Sequence, residues 1–178
     1  MKIVGIDQSL TNTGLATVQD GAFTFTGRIS TDKMKVKGHK RIDVILDKTM
    51  ETIGSAGPAD VLVGLEGPAM SAKGSAVVQI FGLYAVLTRE LYRAGLTYFV
   101  ATPQHVKQYA TGKGNANKDE VLAAVIRRHP DIDFASNDIA DAMMIAAIGA
   151  RRVGAPVEAT IPARCLEVLA KINWDHQG

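Results

Sequence analysis

Five short runs of apolar and β-branched residues constrain the fold of this 178-residue chain more than any other feature. Each run has the length of a β-strand and is bounded by polar or turn-forming residues. The first three follow closely on one another, whereas helical patterns precede each of the last two. We therefore predict five strands, over residues 2–6, 15–19, 22–29, 61–66 and 96–101.

The connections between these runs predict the sheet. Thr11-Asn12-Thr13-Gly14 carries a turn signal and Asp20-Gly21 favours a tight hairpin, so the first three strands should form an antiparallel meander. Helical spacing, start signals and stop signals predict helices over residues 42–53, 77–94, 103–109, 118–128, 137–152 and 164–172. This order predicts an α/β fold, with a mixed five-stranded sheet and helices on both faces.

Composition narrows the class of protein. Apolar residues make up 47% of the chain and the net charge is only +2, which excludes disorder as the dominant state. The longest apolar run, from Ala142 to Ala150, is about half of what a bilayer span needs. A single cysteine, Cys165, permits neither an internal disulfide nor a cysteine-based zinc site. We expect one domain over residues 1–178, acting in the cytoplasm.

The small net charge conceals a segregation of basic residues. Residues 33–41 hold five cations and no acid, and residues 105–118 are also free of acids. A basic run is ordinarily a solvated surface. Two such runs beside a group of buried acids would instead favour contact with a polyanion. The basic side chains concerned are Lys33, Lys35, Lys37, Arg41, Lys107, Lys113 and Lys118.

Four acids hold the most informative positions. Asp7 ends the first predicted strand and Glu66 ends the fourth, which a right-handed crossover places beside the first. Ligands bind at such carboxyl-terminal strand edges. Asp138 and Asp141 share one face near the start of a helix, where small alanines would allow close approach to the sheet. Complementing the helix dipole is the simpler explanation for these two aspartates.

Clustered carboxylates repel one another unless a cation lies between them. Hard oxygen donors without nearby His or Cys partners suit Mg²⁺ or Mn²⁺. Four such acids around two ions would make a site for phosphoryl transfer.

Four stretches of the sequence, in order, are similar to motifs of one family. They are Gly5-Ile6-Asp7-Gln8-Ser9 with Thr13-Gly14, then Leu65-Glu66, then Lys107-Gln108 with the segment from Gly112 to Lys118, and finally the segment from Asn137 to Ala142. Together they resemble the RuvC family of Holliday-junction resolvases, which has the RNase H-like fold. The resemblance covers residues 2–150 and leaves residues 153–178 as a C-terminal extension.

The resemblance implies a function and its residues. It implies a homodimeric endonuclease that binds four-way DNA junctions and nicks two strands symmetrically. Asp7, Glu66, Asp138 and Asp141 would be catalytic acids that hold two Mg²⁺ ions, with Mn²⁺ as a substitute. Lys118 would be both catalytic and a DNA contact, and Lys107 would contact DNA near the scissile phosphate.

One departure from the family pattern concerns the base contact. The family commonly has Phe three residues after the second acid, whereas this chain has Ala69 there, followed by Met70. Met70 could serve as a weaker apolar wedge in DNA. The cleavage sequence preference is therefore open, and a nuclease for flaps and three-way branches is an alternative. No branch-migration, replication or packaging partner follows from the sequence.

Two other classes compete with the nuclease. The opening Gly5-Ile6-Asp7 also resembles the first phosphate motif of actin-like ATPases, but those need two such domains and this chain is too short. A DNA-binding adaptor that does not cut is the second rival. Retention of all four acids argues against it, because acids facing phosphates without a metal only weaken binding.

Overall fold

The sheet has the predicted mixed topology. The computed structural model describes residues 1–68, 75–133 and 136–174. Its strands are Lys2–Asp7 (β1), Asn12–Gln19 (β2), Ala22–Ser30 (β3), Val61–Glu66 (β4) and Thr97–Ala101 (β5), in the spatial order β3-β2-β1-β4-β5. β1, β2 and β3 are antiparallel neighbours, while β4 and β5 continue the sheet parallel to β1.

The two predicted turns have different outcomes. Asp20 and Gly21 both have positive φ, at 52° and 76°, which is the backbone that a two-residue hairpin requires. The predicted turn at 11–14 is displaced, because β2 already begins at Asn12. The side chain of Thr13 accepts a hydrogen bond from the backbone N–H of Ser9 and donates one to the Ser9 carbonyl. The turn therefore lies before β2, between Ser9 and Asn12.

Helices cover both faces of the sheet, as predicted. They span His39–Ile53 (α1), Ser75–Arg93 (α2), Pro103–Thr111 (α3), Lys118–Arg128 (α4), Asn137–Arg152 (α5) and Ala163–Leu166 (α6). The leucines of α2 and the isoleucines of α1 pack on one face, and α3, α4 and α5 pack on the other. The predicted helix 164–172 is a short α6 that continues as a 3-10 turn, Glu167–Ala170.

Helix α5 lies unusually close to the sheet. A Cβ atom at Gly5 would collide with the backbone carbonyl of Ala142, and one at Gly14 would collide with the carbonyl of Asp138. Ala142 and Ala146 are fully buried at this contact. Glycines on the strands and alanines on the helix therefore set how near the start of α5 stands to the end of β1.

The C-terminal segment after α5 packs on the domain. Cys165 is buried, and the ring of Trp174 lies 4.8 Å from that of Phe99 between centroids. The indole N–H of Trp174 donates to the carbonyl of Leu169 at 3.0 Å. Within the described ranges, no helix combines the length and apolarity needed to traverse a lipid bilayer.

Candidate active site

A cleft of about 470 Å³ opens at the carboxyl-terminal ends of β1 and β4. All four predicted acids line it, although they come from three separate parts of the chain. The two lysines nearest to them in the family pattern line it as well. The lining includes Asp7, Glu66, Asp138, Asp141, Lys107 and Lys118.

Sheet register brings Asp7 and Glu66 together. Ile6 pairs with Leu65 in the parallel ladder of β1 and β4, so the next residue of each strand is an acid. Gln8 donates its side-chain amide to the backbone carbonyl of Glu66 at 3.1 Å, which ties the two strand ends together. The parallel pairing thus places both carboxyl groups at one edge of the sheet.

The two carboxyl groups share a buried environment. Burial raises the pKa of Asp7 well above its usual range, and the charges of Glu66 and Asp141 raise it further. Burial also raises the pKa of Glu66, while a hydrogen bond from Asp7 and the nearby Lys118 oppose that rise. Protonation of one of these acids would therefore relieve the repulsion when no cation does so.

Helix α5 supplies the other two acids. Burial and the charge of Glu66 together raise the pKa of Asp141 to about 7, although the charge of Lys118 opposes the rise. Asp138 has a different neighbour, since its carboxylate lies 3.8 Å from the guanidinium of Arg28 on β3. Asp138 and Arg28 are both partly exposed, at 29% and 30% of their side chains, so this pair contributes little stability by itself.

Two capped helices carry the lysines. Thr102 caps α3 by accepting from the backbone N–H of His105, which holds the helix that bears Lys107. Asn117 and Glu120 form a reciprocal capping box at the start of α4, where Lys118 is the first residue. Each cap contributes about 1 kcal/mol to its helix.

The chemistry of these donors fits a hard divalent cation. Four carboxylates line the cleft without a His or Cys among them, and burial together with the neighbouring carboxylates raises the pKa of Asp7 and of Asp141. In the described ranges, no three acidic, His or Cys side chains already stand close enough to ligate one ion.

Comparison with known proteins decides the family. The family model for the crossover junction endodeoxyribonuclease RuvC matches residues 3–149. This chain belongs to the RuvC family. A Synechococcus RuvC (strain WH7803) is 32% identical over 154 residues, covering 84% of this chain and 97% of the relative. RuvC of Synechococcus strain CC9311 is likewise 32% identical, over 160 residues.

Solved structures agree on the fold. Thermus thermophilus RuvC has a TM-score of 0.67 and 20% identity, covering 87% of this chain and 98% of that one. The same score and identity hold for a structure of T. thermophilus RuvC in complex with a Holliday junction substrate, of which 97% is covered. The predicted RNase H-like fold is confirmed, and the chain is a member of a family of metal-dependent endodeoxyribonucleases.

The remaining basic residues that were predicted to contact DNA in this RuvC-family chain lie outside the cleft. Lys113 lines a neighbouring groove beside α4, and Lys37 and Arg41 line another between α1 and α2. Lys33 borders a small groove with Arg28, and Lys35 occupies a turn with φ of 56°. The predicted wedge, Met70, falls outside the described residues, as does Ala69.

Sequence reasoning missed three polar residues of the site. Arg28 meets Asp138 because Gly14 pairs with both Asp7 and Arg28 across the meander. The hairpin turn by itself would not have indicated this pairing, since the register of β2 and β3 shifts by one residue between Thr17 and Val18. Gln8 stands in the family's opening motif but had no predicted role. Asn137 lines the cleft, and its Oδ1 is buried without a hydrogen bond from the described residues.

Proposed function

We propose that this protein hydrolyses one phosphodiester in each of two strands of a four-way DNA junction, with two Mg²⁺ ions per active site. The observation that carries the proposal is the convergence of four carboxylates and two lysines in one cleft. The relatives that share most of this chain's length are named crossover junction endodeoxyribonucleases. Branched DNA in the cytoplasm is the expected substrate.

The four acids would hold the metal ions. Asp7 is central, because the other three carboxyl groups affect its pKa and it is the most buried of the four. Mn²⁺ would substitute, since it accepts the same hard oxygen donors. When bound, the ions supply an activated water and stabilise the leaving oxygen.

The lysines would act on the phosphate. Lys118 and Lys107 both lower the pKa of Glu66 by their charge, so each stands near the carboxylates. A phosphate entering the cleft would meet these ammonium groups, and Lys118 would stabilise the negative charge that grows in the transition state. Lys107 would hold the DNA backbone in register with the acids.

The basic segment before α1 would extend the DNA surface. Arg41, in the first turn of α1, holds this segment by donating to Asp32 at 2.8 Å and to the carbonyl of Val36. Lys33, Lys35 and Lys37 are exposed in this structure. The exposed lysines of this segment would bind phosphates beyond the cleft, as would Lys113 in the groove beside α4.

A second copy of the chain would supply the second nick. Val78, Phe81 and Tyr92 of α2 are exposed, at 73%, 37% and 64%, and Ala85 lies between them on the same face. Their spacing of three, four and seven residues is that of a coiled-coil seam. Two-fold pairing of this seam would place two identical active sites on one symmetric junction.

The decisive experiment compares substrates and metals. We expect labelled four-way junctions to be nicked in paired, symmetric positions with Mg²⁺ and not in excess EDTA. We expect Asp7→Asn to lower cleavage at least about a thousandfold while leaving junction binding largely intact. Cleavage that persists in EDTA would exclude the metal mechanism, and tight binding without any cleavage would select an adaptor.

A broader branched-DNA nuclease is the second candidate. The observation that favours it is Ala69 at the position where the family commonly has the base-contacting Phe. Flap and three-way substrates in the same experiment separate the two functions. Comparable cleavage of all branched substrates would select the broader nuclease, and preference for the four-way junction would select the resolvase.

A further inference from the structure

The C-terminal segment is anchored to the helices that carry the lysines. Glu158 is a buried acid, and the hydroxyl of Tyr109 on α3 donates to it at 2.9 Å. Arg128 of α4 lies 3.7 Å from the same carboxylate, and Arg151 of α5 donates to the Glu158 carbonyl. Hydrogen bonds and opposite charges stabilise the ionised form of this acid and lower its pKa, despite its burial. The segment is therefore a fixed part of the surface beside α3 and α4.

This segment builds one wall of a groove of about 590 Å³. Its Arg164 lies across Gly112, the residue that ends α3 with φ of 80°. A Cβ atom at Gly112 would overlap the Arg164 side chain in its present position, and the positive φ also favours glycine there. The backbone carbonyl of Arg164 also accepts from Gln108 at 3.1 Å.

The charges of the groove favour an anion. Lys113, Arg127, Arg128 and Arg164 line it, against the acids Asp119 and Glu120. Glu120 already caps α4 and lies 4.0 Å from Lys113, whereas Arg128 is occupied by Glu158. Arg127 and Arg164 are exposed, and neither belongs to an ion pair of the described residues.

The groove adjoins the candidate active site. The first turn of α4 separates them: Lys118 and Val121 line the cleft, and Asn117 and Glu120 line the groove. We propose that this groove binds the sugar-phosphate backbone of a junction arm next to the scissile phosphate, with Arg127 and Arg164 as the phosphate contacts. The inference deepens the proposed function and rests on it.

Salt dependence of junction binding tests this assignment. Each protein carries Asp7→Asn so that the junction stays intact, and affinity is measured by fluorescence anisotropy across a series of NaCl concentrations. The association constant K falls as salt rises, so log K has a negative slope against log salt. We expect Arg127→Ala and Arg164→Ala each to make this slope shallower, by about 0.9 for every phosphate that the variant no longer neutralises. Lys48→Ala removes a cation from α1 on the opposite face of the sheet and should leave the slope unchanged.

Two further measurements separate DNA contact from a structural role. Arg164→Lys keeps the charge and should keep most of the slope, and the melting temperature of Arg127→Ala should match that of the Asp7→Asn parent. If both alanine variants bind the junction with the same salt slope as the Asp7→Asn parent, the inference about the groove is wrong, while the proposed function still stands. A parent that does not prefer a four-way junction to duplex DNA would overturn the proposed function, and the inference with it.

Discussion

At the scale of single residues, the site is a group of acids in an unfavourable environment. Asp7 is buried, and negative neighbours raise its pKa together with that burial. Such an arrangement is costly for the native state unless a cation balances it. The buried acid Asp7 therefore lowers the free energy of unfolding at the position where the proposed chemistry needs a negative charge.

The raised pKa of Asp141 predicts how metal-free stability depends on pH. The unfolded aspartate has a pKa of 3.8, and the native one about 7. Between these values the native state holds more protons than the unfolded state, so the free energy of unfolding falls as pH rises. Above pH 7 the full penalty is present. Asp141→Asn cannot ionise, and in EDTA at pH 8 it should melt several degrees higher than the natural protein.

Melting curves from pH 4 to pH 8 check this prediction. The two proteins should differ least at pH 4, and the difference should grow up to about pH 7. Asp47→Asn, which removes an exposed acid from α1, controls for the change in net charge. Melting temperatures of Asp141→Asn that run parallel to those of the natural protein would contradict the expectation.

At the scale of elements, the contact between α5 and the sheet decides the geometry of the site. Asp138 and Asp141 lie in the first two turns of α5, whereas Asp7 lies on β1. Gly5 and Gly14 allow the backbone of α5 to lie directly on β1 and β2. Any residue larger than glycine there would push the two groups of acids apart.

Gly5→Ala should therefore damage both stability and cleavage. Its Cβ atom would meet the backbone of α5 rather than a flexible side chain, so we expect the free energy of unfolding to fall by about 3 kcal/mol. Gly82→Ala is the matched control, because a Cβ atom at that position meets nothing within 4 Å. This substitution replaces a glycine inside a helix, which should stabilise the protein by about 0.5–1 kcal/mol.

Urea denaturation and junction cleavage measure the two effects. At a temperature where Gly5→Ala is still folded, its cleavage rate should remain below that of the natural protein, since the acids no longer hold their spacing. Native stability in Gly5→Ala would show that α5 shifts freely, which would contradict the close contact as the determinant of the site.

At the scale of the whole molecule, the proposed dimer depends on the exposed face of α2. Phe81→Glu should weaken dimerisation by roughly a hundredfold or more, because two-fold symmetry places the change twice in one interface. Phe25→Glu is the control, since Phe25 is an exposed aromatic residue on β3. Sedimentation velocity gives the oligomeric state. A dimeric Phe81→Glu would exclude this face as the interface.

The sequence predicts the order of the sheet because its signals are local. Asp20-Gly21 encodes a hairpin, helical spacing precedes β4 and β5, and crossover handedness then places β4 beside β1. That order suffices to bring Asp7 and Glu66 to one edge. The catalytic roles of these acids stay predictions, although the structure brings them into one cleft.

The turn before β2 and the end of the chain were less well predicted. Thr13 is a strand residue because its side chain bonds back to Ser9, a contact that a propensity for turns does not capture. Residues 163–170 form one α-helical turn and one 3-10 turn, and both turns pack against α3. Their burial depends on distant residues rather than on local pattern.

The sequence by itself determined the order of the strands and of the main helices, and it placed Asp7 and Glu66 at the ends of two strands. The tertiary structure alone decided where two arginines without a predicted role, Arg28 and Arg164, make their contacts. Arg28 reaches Asp138 through a register across three strands, and Arg164 reaches Gly112 from a segment about 50 residues away along the chain. Strand length and turn type are local properties of the chain, whereas these partnerships arise only when long-range packing brings distant side chains together.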